Sequence, residues 1–235
     1  MSINVVILAG GSGSRVGTDI PKQFLELNGK PVIIRTLTQF DNNKNIDSIF
    51  VVCNPRYVPL LKTMLENFPI LKIRAILPGG KNSHESLING LSALKSSAKN
   101  DDYVIIHEAV RPFVSNIDID NLISNAKRNG CSCTATKCYE TLMTKDQNGV
   151  ALREINREQV ARIMMPQMYK FDDIWNAIMN SINDGKIFVS ANTMMVYYGY
   201  KIYLSECSIL NIKITTMDDF IISSAIAELL DKQKC

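Results

Sequence analysis

Apolar residues recur with two different spacings along this chain, and the two spacings alternate. Short, nearly continuous apolar runs predict buried strands at residues 3–9, 46–53, 73–77 and 103–107. Apolar residues spaced three and four apart predict helices at residues 31–40, 58–67, 85–94 and 118–128. Such alternation is typical of an α/β fold with a doubly wound, mostly parallel sheet.

The second half of the chain has a different pattern. Alternating residues and a turn-like KDQNG segment predict a projecting β-arm at about residues 134–162. The later predicted elements are a helix at 172–182, extended segments at 201–204 and 211–214, and a last helix at 217–232 that Thr216 caps. No repeat or linker interrupts the pattern, so we expect a single domain over residues 1–235.

The most distinctive segments all follow predicted strands. They are residues 8–22, 78–86 and 107–112. Because right-handed crossovers place the loops after parallel strands along one edge of the sheet, we expect these three segments to converge on one crevice.

Composition narrows the class of protein. The chain has 235 residues, of which 46% are hydrophobic and 21% charged, which is ordinary for a globular protein. Its formal net charge of +3 is too weak to indicate a nucleic-acid partner. The apolar run at residues 5–9 is too short to span a membrane, and no signal peptide opens the chain. We therefore expect a cytoplasmic protein without a membrane partner.

Glycines and cations follow the first predicted strand. Glycines let a backbone turn sharply and bring its N–H groups close to phosphate oxygens. Arg15 and Lys22 would add positive charge. A plain glycine turn is the alternative to a phosphate site. The residues of this loop that we expect to bind a nucleotide are Leu8, Ala9, Gly10, Gly11, Ser12 and Gly13.

The spacing of these glycines argues against two familiar nucleotide motifs. Gly11, Gly13 and Gly17 do not match the dinucleotide fingerprint, and no stretch supplies the P-loop pattern. A nicotinamide-dependent oxidoreductase is therefore excluded on spacing.

Two further segments carry candidate chemistry. In PGGKNSHES, the residues Gly79, Gly80, Lys81 and Ser86 could hold a flat base, although a strand-to-helix turn with a polar cap fits equally well. In HEAVRPF, Glu108 ends a strand where a carboxylate can hold Mg²⁺ on triphosphate oxygens. An ion pair between Glu108 and Arg111 is the alternative there.

Together the motifs resemble the family of 2-C-methylerythritol 4-phosphate cytidylyltransferases and the related ribitol-5-phosphate cytidylyltransferases. The matching stretches are LAGGSGSRVG, PKQFLELNGKPVIIRTL, PGG, NGL, HEAVRPFV, MPQMYKF and NIKITTMDD, which span residues 5 to about 225. The resemblance implies a Rossmann-like fold, CTP and Mg²⁺ as reaction partners, and a homodimer made through the β-arm.

The resemblance also implies roles for individual residues. Arg15 and Lys22 would hold the triphosphate, and Lys213 would help to stabilise the reacting phosphorus from the other side. Arg157, in the arm, matches a residue that grips the substrate phosphate across the dimer interface. Glu108 and Ser190 fall where substrate is bound, and Arg111 where the nucleotide is bound.

The chain departs from the family pattern where the acceptor is bound. Glu108 replaces an aspartate, Leu210 replaces an acid, and Ser83 replaces an arginine. Val189 and Ser190 replace a Thr-Asp or Ser-Asp pair. These changes favour CMP transfer to a polyol or related small phosphate, for surface polysaccharide or teichoic-acid precursors. The alternatives are the methylerythritol phosphate enzyme of isoprenoid synthesis and a catalytically inactive nucleotide-binding homologue.

Overall fold

The computed structural model describes residues 1–11, 20–99 and 101–233. Its strands are β1 Ile3–Ala9, β2 Glu26–Leu27, β3 Lys30–Pro31, β4 Ser48–Cys53, β5 Ile73–Pro78, β6 Tyr103–Glu108, β7 Cys131–Lys137, β8 Leu142–Lys145, β9 Ala151–Ile155, β10 Ala161–Lys170 and β11 Leu204–Glu206. Its helices are α1 Val32–Asp41, α2 Val58–Asn67, α3 Ser83–Lys95, α4 Asn116–Asn129, α5 Phe171–Asn183, α6 Ala191–Tyr197 and α7 Met217–Lys232. Short 3₁₀ turns are Lys22–Phe24, Pro55–Tyr57 and Arg157–Gln159.

Seven of the described strands form one sheet, in the order β11-β7-β10-β6-β1-β4-β5. β1 is parallel to β4 on one side and to β6 on the other, and β4 is parallel to β5. β10 is antiparallel to both β6 and β7, whereas β11 is parallel to β7. The mostly parallel, Rossmann-like sheet that the sequence predicts is confirmed, with β10 as its antiparallel member.

Helices cover both faces of this sheet, which explains the continuous apolar runs. Val5 and Ile7 of β1 pack in the core beneath α1, α2 and α4, and Val6 packs in the core beneath α3, α5 and α6. All three side chains are fully buried. A strand buried on both faces needs no polar alternation. Burying each of these side chains contributes about 1.5–3 kcal/mol to folding.

Several predicted elements have the predicted bounds and caps. The helices at 58–67 and 217–232 coincide with α2 and α7. Thr216 caps α7 through a reciprocal capping box, in which the Asp219 N–H donates to the Thr216 hydroxyl and the Thr216 N–H donates to the Asp219 carboxylate. Gly130 ends α4 in the left-handed conformation, with φ of 90°.

Other elements differ from the prediction. Pro31 is the N-cap residue of α1 rather than part of its first turn. Residues 211–214 form no strand, and the strand predicted at 201–204 begins only at Leu204. The seven-residue helix α6 is not predicted, because two turns are too short to establish a helical spacing.

The β-arm is a hairpin of β8 and β9, which form their own two-stranded antiparallel sheet. Gly149 adopts φ of 86° at its turn, and the Asp146 carboxylate accepts hydrogen bonds from the Asn148 and Val150 N–H groups. The predicted arm at 134–162 overlaps the main sheet at both ends, where β7 and β10 pair. The projecting segment is therefore residues 138–160.

Among the described residues, none of the helices combines the length and the apolar character needed to cross a bilayer.

Helix α3 approaches the sheet closely at Gly90. A Cβ atom on Gly90 would lie 2.6 Å from Cγ1 of Val6 and 3.1 Å from Cγ2 of Val52. Those two valines are fully buried, so neither can move aside without disturbing the core. The helix therefore rests on the sheet at a distance that only glycine allows.

We expect Gly90→Ala to lower the free energy of unfolding by about 1–2 kcal/mol, because overpacking outweighs the helix propensity that alanine adds. Urea denaturation measures this change. Ser92→Ala, at an exposed position of the same helix, is the control and should change the value by less than about 0.5 kcal/mol. A Gly90→Ala protein as stable as the parent would contradict the close approach.

Candidate active site

The strand order reverses beside β1, and the reversal creates a crevice. From β1 the chain builds outwards through β4 and β5, then returns to place β6 on the other side of β1. Loops that leave two such neighbouring strands turn to opposite faces of the sheet, and ligands bind between them. The register pairs Leu8 with Glu108, so the start of the glycine-rich loop and the carboxylate that ends β6 lie side by side.

The glycine-rich loop and the PGG turn contact each other. A Cβ atom on Gly10 would lie 3.2 Å from the Ser86 hydroxyl oxygen, and one on Gly79 would lie 3.5 Å from Cα of Gly10. The Gly80 N–H donates to the Ser86 hydroxyl at 3.1 Å. The structure therefore joins two segments that are about seventy residues apart in the sequence.

The PGG turn is tightly built around Glu85. A Cβ atom on Gly80 would lie 2.2 Å from Cβ of Glu85, so only glycine fits there. Asn82 caps α3 by accepting from the Glu85 N–H at 2.9 Å, and the Glu85 carboxylate accepts from the N–H of the exposed Lys81 at 2.8 Å. The polar cap considered from the sequence is thus present. The nucleotide-binding roles of Gly79, Gly80, Lys81 and Ser86 stay predictions.

Gln23 fixes the start of the glycine-rich loop. Its buried side-chain amide donates to the carbonyls of Ala9 and Gly11, at 3.0 and 2.8 Å. Gln23 belongs to the PKQ motif, but nothing in the sequence around it indicates this role. Its position directly after Lys22 means that the same 3₁₀ turn holds the loop and places the lysine.

Lys22 is buried beside the start of α7. Burial would raise the pKa of the Asp219 carboxyl, but hydrogen bonds from Thr216 and Thr215 and the charge of Lys22 lower it below its ordinary value. The lysine therefore lies near the segment that carries Lys213. The predicted residues Ser12, Gly13 and Arg15 lie outside the described residues.

Glu108 lies between two cations. Arg111 donates from Nε to one carboxylate oxygen at 2.8 Å, and Lys213 Nζ contacts the other oxygen. Burial alone would raise the pKa of the Glu108 carboxyl, but the charges and hydrogen bonds of Lys213 and Arg111 outweigh it and lower the pKa. The ion pair between Glu108 and Arg111 that the sequence suggests is present. Lys213, which is 105 residues after Glu108, joins it as a third charged group.

Asn211 holds this cluster in place, and sequence reasoning missed it. Its fully buried side-chain amide donates to the Met165 backbone carbonyl at 2.5 Å. The backbone carbonyl of Asn211 accepts from the Arg111 guanidinium at 3.0 Å. The Ile214 N–H donates to the Val110 carbonyl at 3.0 Å. These contacts position residues 211–214 against the end of β6 without a strand ladder.

His107 is a buried neutral imidazole behind the cluster. Its Nε2 lies 3.0 Å from the Arg111 carbonyl, which can only accept, so Nε2 carries the proton. Nδ1 is buried without a hydrogen-bond partner among the described residues. Burial lowers the pKa of His107 from 6.5 to about 4. This histidine supports the Arg111 backbone rather than facing the crevice.

A cavity of about 370 Å³ opens beside the cluster. It brings together five residues that the sequence marks as site residues, namely Leu8, Glu108, Arg111, Ser190 and Lys213. It is also lined by residues without a predicted role, chiefly Met164, Met165, Gln167, Phe188, Asn192 and Thr193. The MPQ motif was the available signal for the methionine and glutamine side of this wall.

Arg157 lies away from this cavity. It begins the 3₁₀ turn at the end of the β-arm, is about half exposed, and donates to the Tyr139 carbonyl at 2.9 Å. Its predicted action across a dimer interface stays a prediction.

The described residues provide one carboxylate for a divalent metal. In the described ranges, no three His, Cys, Asp or Glu side chains form a group that could hold a metal by themselves. Mg²⁺ commonly takes one or two carboxylates and fills its shell with water and substrate phosphates. Glu108, which lines the cavity, fits that donor set as a single protein ligand.

Comparison with known proteins gives one consistent family. A family model described as "IspD: 2-C-methyl-D-erythritol 4-phosphate cytidylyltransferase" matches residues 3–229. The 2-C-methyl-D-erythritol 4-phosphate cytidylyltransferase of Clostridium novyi is 33% identical over 224 residues, which cover 95% of both chains. The ribitol-5-phosphate cytidylyltransferase of Lacticaseibacillus paracasei is also 33% identical, over 226 residues that cover 95% of this chain and 97% of that one.

Solved structures agree with the sequence comparison. The 4-diphosphocytidyl-2C-methyl-D-erythritol synthase of Anaerococcus prevotii superimposes with a TM-score of 0.83 at 25% identity, covering 97% of this chain and 98% of that one. The 2-C-methyl-D-erythritol 4-phosphate cytidylyltransferase of Francisella tularensis gives 0.79 at 29% identity, covering 95% and 98%.

The buried imidazole predicts a pH dependence of stability. Because the folded chain holds His107 neutral, the unfolded chain binds a proton more readily below pH 6.5, and stability falls as the pH drops towards about 4. Between pH 7 and pH 5 we expect this histidine to remove about 2 kcal/mol of unfolding free energy.

His107→Gln, which can still donate to the Arg111 carbonyl, should remove that part of the pH dependence. Urea denaturation at pH 7, 6 and 5 compares the variant with the parent. If the difference in unfolding free energy between the two proteins stays constant over this range, the imidazole is not held neutral by the fold.

Proposed function

The chain belongs to the 2-C-methyl-D-erythritol 4-phosphate cytidylyltransferase family, and on that premise we propose that its crevice transfers CMP from CTP to a small phosphorylated alcohol with release of pyrophosphate. The observation that carries the proposal is the meeting of Glu108, Arg111 and Lys213 beside the two glycine turns. One relative is named for methylerythritol phosphate and another for ribitol phosphate, and both are 33% identical to this chain. The proposed acceptor class therefore includes both kinds of phosphorylated alcohol.

The nucleotide binds on the β1 and β5 side of the crevice in this proposal. Backbone N–H groups of the glycine turns face the phosphates, and Lys22 supplies a nearby cation, as would Arg15. Gly79, Gly80 and Ser86 lie where the base and ribose would rest against backbone. The close approach of Gly10 to Ser86 supports this arrangement, because it leaves little room for a side chain between the two turns.

The reaction needs positioning more than covalent chemistry by the protein. A phosphate oxygen of the acceptor attacks the α-phosphorus of CTP, the bond from that phosphorus to the bridging oxygen breaks, and pyrophosphate leaves. Negative charge accumulates on the pentacoordinate phosphorus, where fixed cations lower the barrier. In this proposal Lys213, from the irregular segment 211–214, and Lys22, from the 3₁₀ turn at Lys22–Phe24, would each contact a different oxygen.

Glu108 has two proposed tasks. In the free site it keeps Arg111 and Lys213 in place through the ion pairs described above. With nucleotide bound, its carboxylate would hold Mg²⁺, which supplies charge neutralisation for the triphosphate. Lys213 would then be released to face the substrate phosphates. A cytoplasmic location and the lack of nucleic-acid and membrane partners stay predictions from composition.

A panel of acceptors tests the proposed reaction. Pyrophosphate release with CTP and Mg²⁺ should appear with at least one small sugar or polyol phosphate. Lys22→Ala and Lys213→Ala should each lower kcat/KM by about 10²–10³-fold, because each removes a charge from the transition state. Lys201→Ala, at an exposed lysine outside the cavity lining, is the matched control and should leave the rate unchanged.

Two results would reject this function. A parent protein that releases no pyrophosphate with any acceptor, although folded, would be the inactive nucleotide-binding homologue. An active protein whose rate survives Lys22→Ala would have a different mechanism.

We also propose that the β-arm makes a homodimer. Several apolar side chains of the arm have large exposed fractions, at 70% for Tyr139, 59% for Val150 and 62% for Leu152. Exposed apolar surface of this kind marks an interaction site. In sedimentation velocity, Leu152→Asp should convert the dimer to a monomer, whereas Leu71→Asp, at a position that is 88% exposed outside the arm, should not.

Mixed dimers test whether Arg157 serves the partner's site. Arg157→Ala and Lys213→Ala proteins should each be inactive alone. If Arg157 acts across the interface, equal mixing should restore about a quarter of the parent activity, because half of the dimers then contain one complete site. Mixing without recovery would place Arg157 in its own protomer's site or outside catalysis.

A further inference from the structure

The last helix, α7, is apolar on two opposite faces. Its inner face packs in the same core cluster as Leu27 and Val32, through Phe220, Ile226, Ala227 and Leu230. Its outer face consists of exposed residues, which are Asp218, Ile221, Ile222, Ala225, Glu228, Leu229 and Lys232. A surface helix ordinarily carries polar residues opposite its core face. Packing within this chain therefore does not account for the apolar part of the outer face.

The exposed apolar side chains of α7 form one stripe. The exposed fractions are 62% for Ile221, 53% for Ile222 and 56% for Leu229. At 3.6 residues per turn, all three lie within about 60° of the direction in which Ala225 points. Because they are contiguous along the helix rather than scattered over the surface, they mark an interaction site.

The stripe has the same spacing on both sides of Ala225. Ile221 lies four residues before Ala225, and Leu229 lies four residues after it. When two identical helices cross antiparallel at a two-fold axis, residues equally far before and after the crossing face each other. With the crossing at Ala225, Ile221 therefore faces the partner's Leu229. The small side chain of Ala225 allows the two helices to approach closely there.

The charges at the ends of the stripe are complementary in the same arrangement. Asp218 lies seven residues before Ala225 and Lys232 seven residues after it, so each faces its opposite charge on the second copy. The two-fold axis makes this ion pair twice. Glu228 accepts from Lys232 Nζ at 2.6 Å within its own helix, so its carboxylate lies next to a cation in either state.

The same charges argue against a membrane surface as the occupant. The stripe carries the carboxylates of Asp218 and Glu228 and the single ammonium group of Lys232, which leaves it net negative. Helices that bind anionic lipid surfaces are instead rich in Lys and Arg on their polar face. The mirrored spacing about Ala225 favours a second copy of this chain over an unrelated partner.

We propose that α7 is a self-association surface on which a second copy of this chain binds through its own α7, antiparallel and crossing at Ala225. A single helix pair buries less than the roughly 1,200 Å² of a stable complex, so the contact forms at high protein concentration. It is separate from the proposed contact through the β-arm. Together, two different two-fold contacts would join arm dimers into tetramers or longer assemblies.

Sedimentation velocity of the parent and of Leu152→Asp, which is designed to remove the arm contact, tests this surface. At about 5 µM the variant should be a monomer, and at about 0.5 mM it should form dimers. It should form nothing larger, because a two-fold contact uses the same face on both copies and closes at two. The parent should sediment faster at the higher concentration than at the lower one.

Substitution at the crossing point links the association to α7. Ala225→Glu places a charged side chain where the helices approach most closely, and it should raise the dissociation constant of the high-concentration species at least about tenfold. Ser92→Glu adds the same charge at an exposed position of α3 and is the matched control, which should leave the constant unchanged. Urea denaturation confirms that both variants are folded.

A charge swap tests the antiparallel arrangement. Asp218→Lys and Lys232→Asp should each weaken the association, and the double variant should restore it to within about threefold of the parent. The two positions are about 21 Å apart along one helix, too far to pair within it. Recovery in the double variant therefore reports a contact between copies rather than a repaired helix.

Three results would overturn the proposal. The first is a sedimentation coefficient that stays constant up to about 0.5 mM in both the parent and Leu152→Asp. The second is an association that Ala225→Glu leaves intact, or that the double charge swap does not restore. The third is a loss of the low-concentration dimer in Ala225→Glu, which would show that α7 is part of the arm contact.

Discussion

The negative charge of Glu108 organises the whole crevice. It ends a strand whose neighbours are buried, and a largely buried carboxylate without partners costs several kcal/mol. Arg111 neutralises it from the following turn and Lys213 from a segment 105 residues away. That segment has no strand ladder of its own. These charges, the Asn211 contacts, one backbone bond to Val110 and the burial of Ile214 hold it in position.

The crevice is divided into two halves with different chemistry. On the β1 and β5 side, backbone and small residues meet closely, which suits a ligand recognised by its phosphates and a flat base. On the β10 and α6 side, larger side chains surround an open cavity. The charged cluster lies between the halves, where a phosphate from each substrate would meet. In the proposed reaction, this division would allow one nucleotide site to be combined with acceptors as different as those in the names of the relatives.

The parts of the fold that follow from periodicity were predictable, and the parts that depend on distant contacts were not. Helix α2 and the capped helix α7 have the predicted bounds, because local spacing and a capping residue determine them. Strand β10 contains Pro166, which argues against a strand interior, and the sheet accommodates it with a register shift between Ile163 and Gln167.

The same distinction holds for the candidate site. The glycine and charged motifs of the sequence point to Gly10, Gly79 and Glu108 as candidates, and the resemblance to the family adds Lys213. Their roles in binding and catalysis stay predictions. Nothing local marks Asn211, whose importance comes from reaching the carbonyl of Met165 and from the bond that its own carbonyl accepts from Arg111. The methionine side of the cavity was missed although the MPQ motif was an available signal, since methionines are ordinary core residues.

Gly90 has a consequence that reaches beyond stability. Ser86 precedes it by one helical turn on the same face of α3, so the contact between Gly90 and Val6 also sets how far Ser86 stands above the end of β1. Because Gly90 has no side chain, helix α3 lies closer to β1 than any other residue at this position would allow. The hydrophobic core therefore sets the depth of the PGG turn, one helical turn away from the Ser86 hydroxyl that this turn contacts.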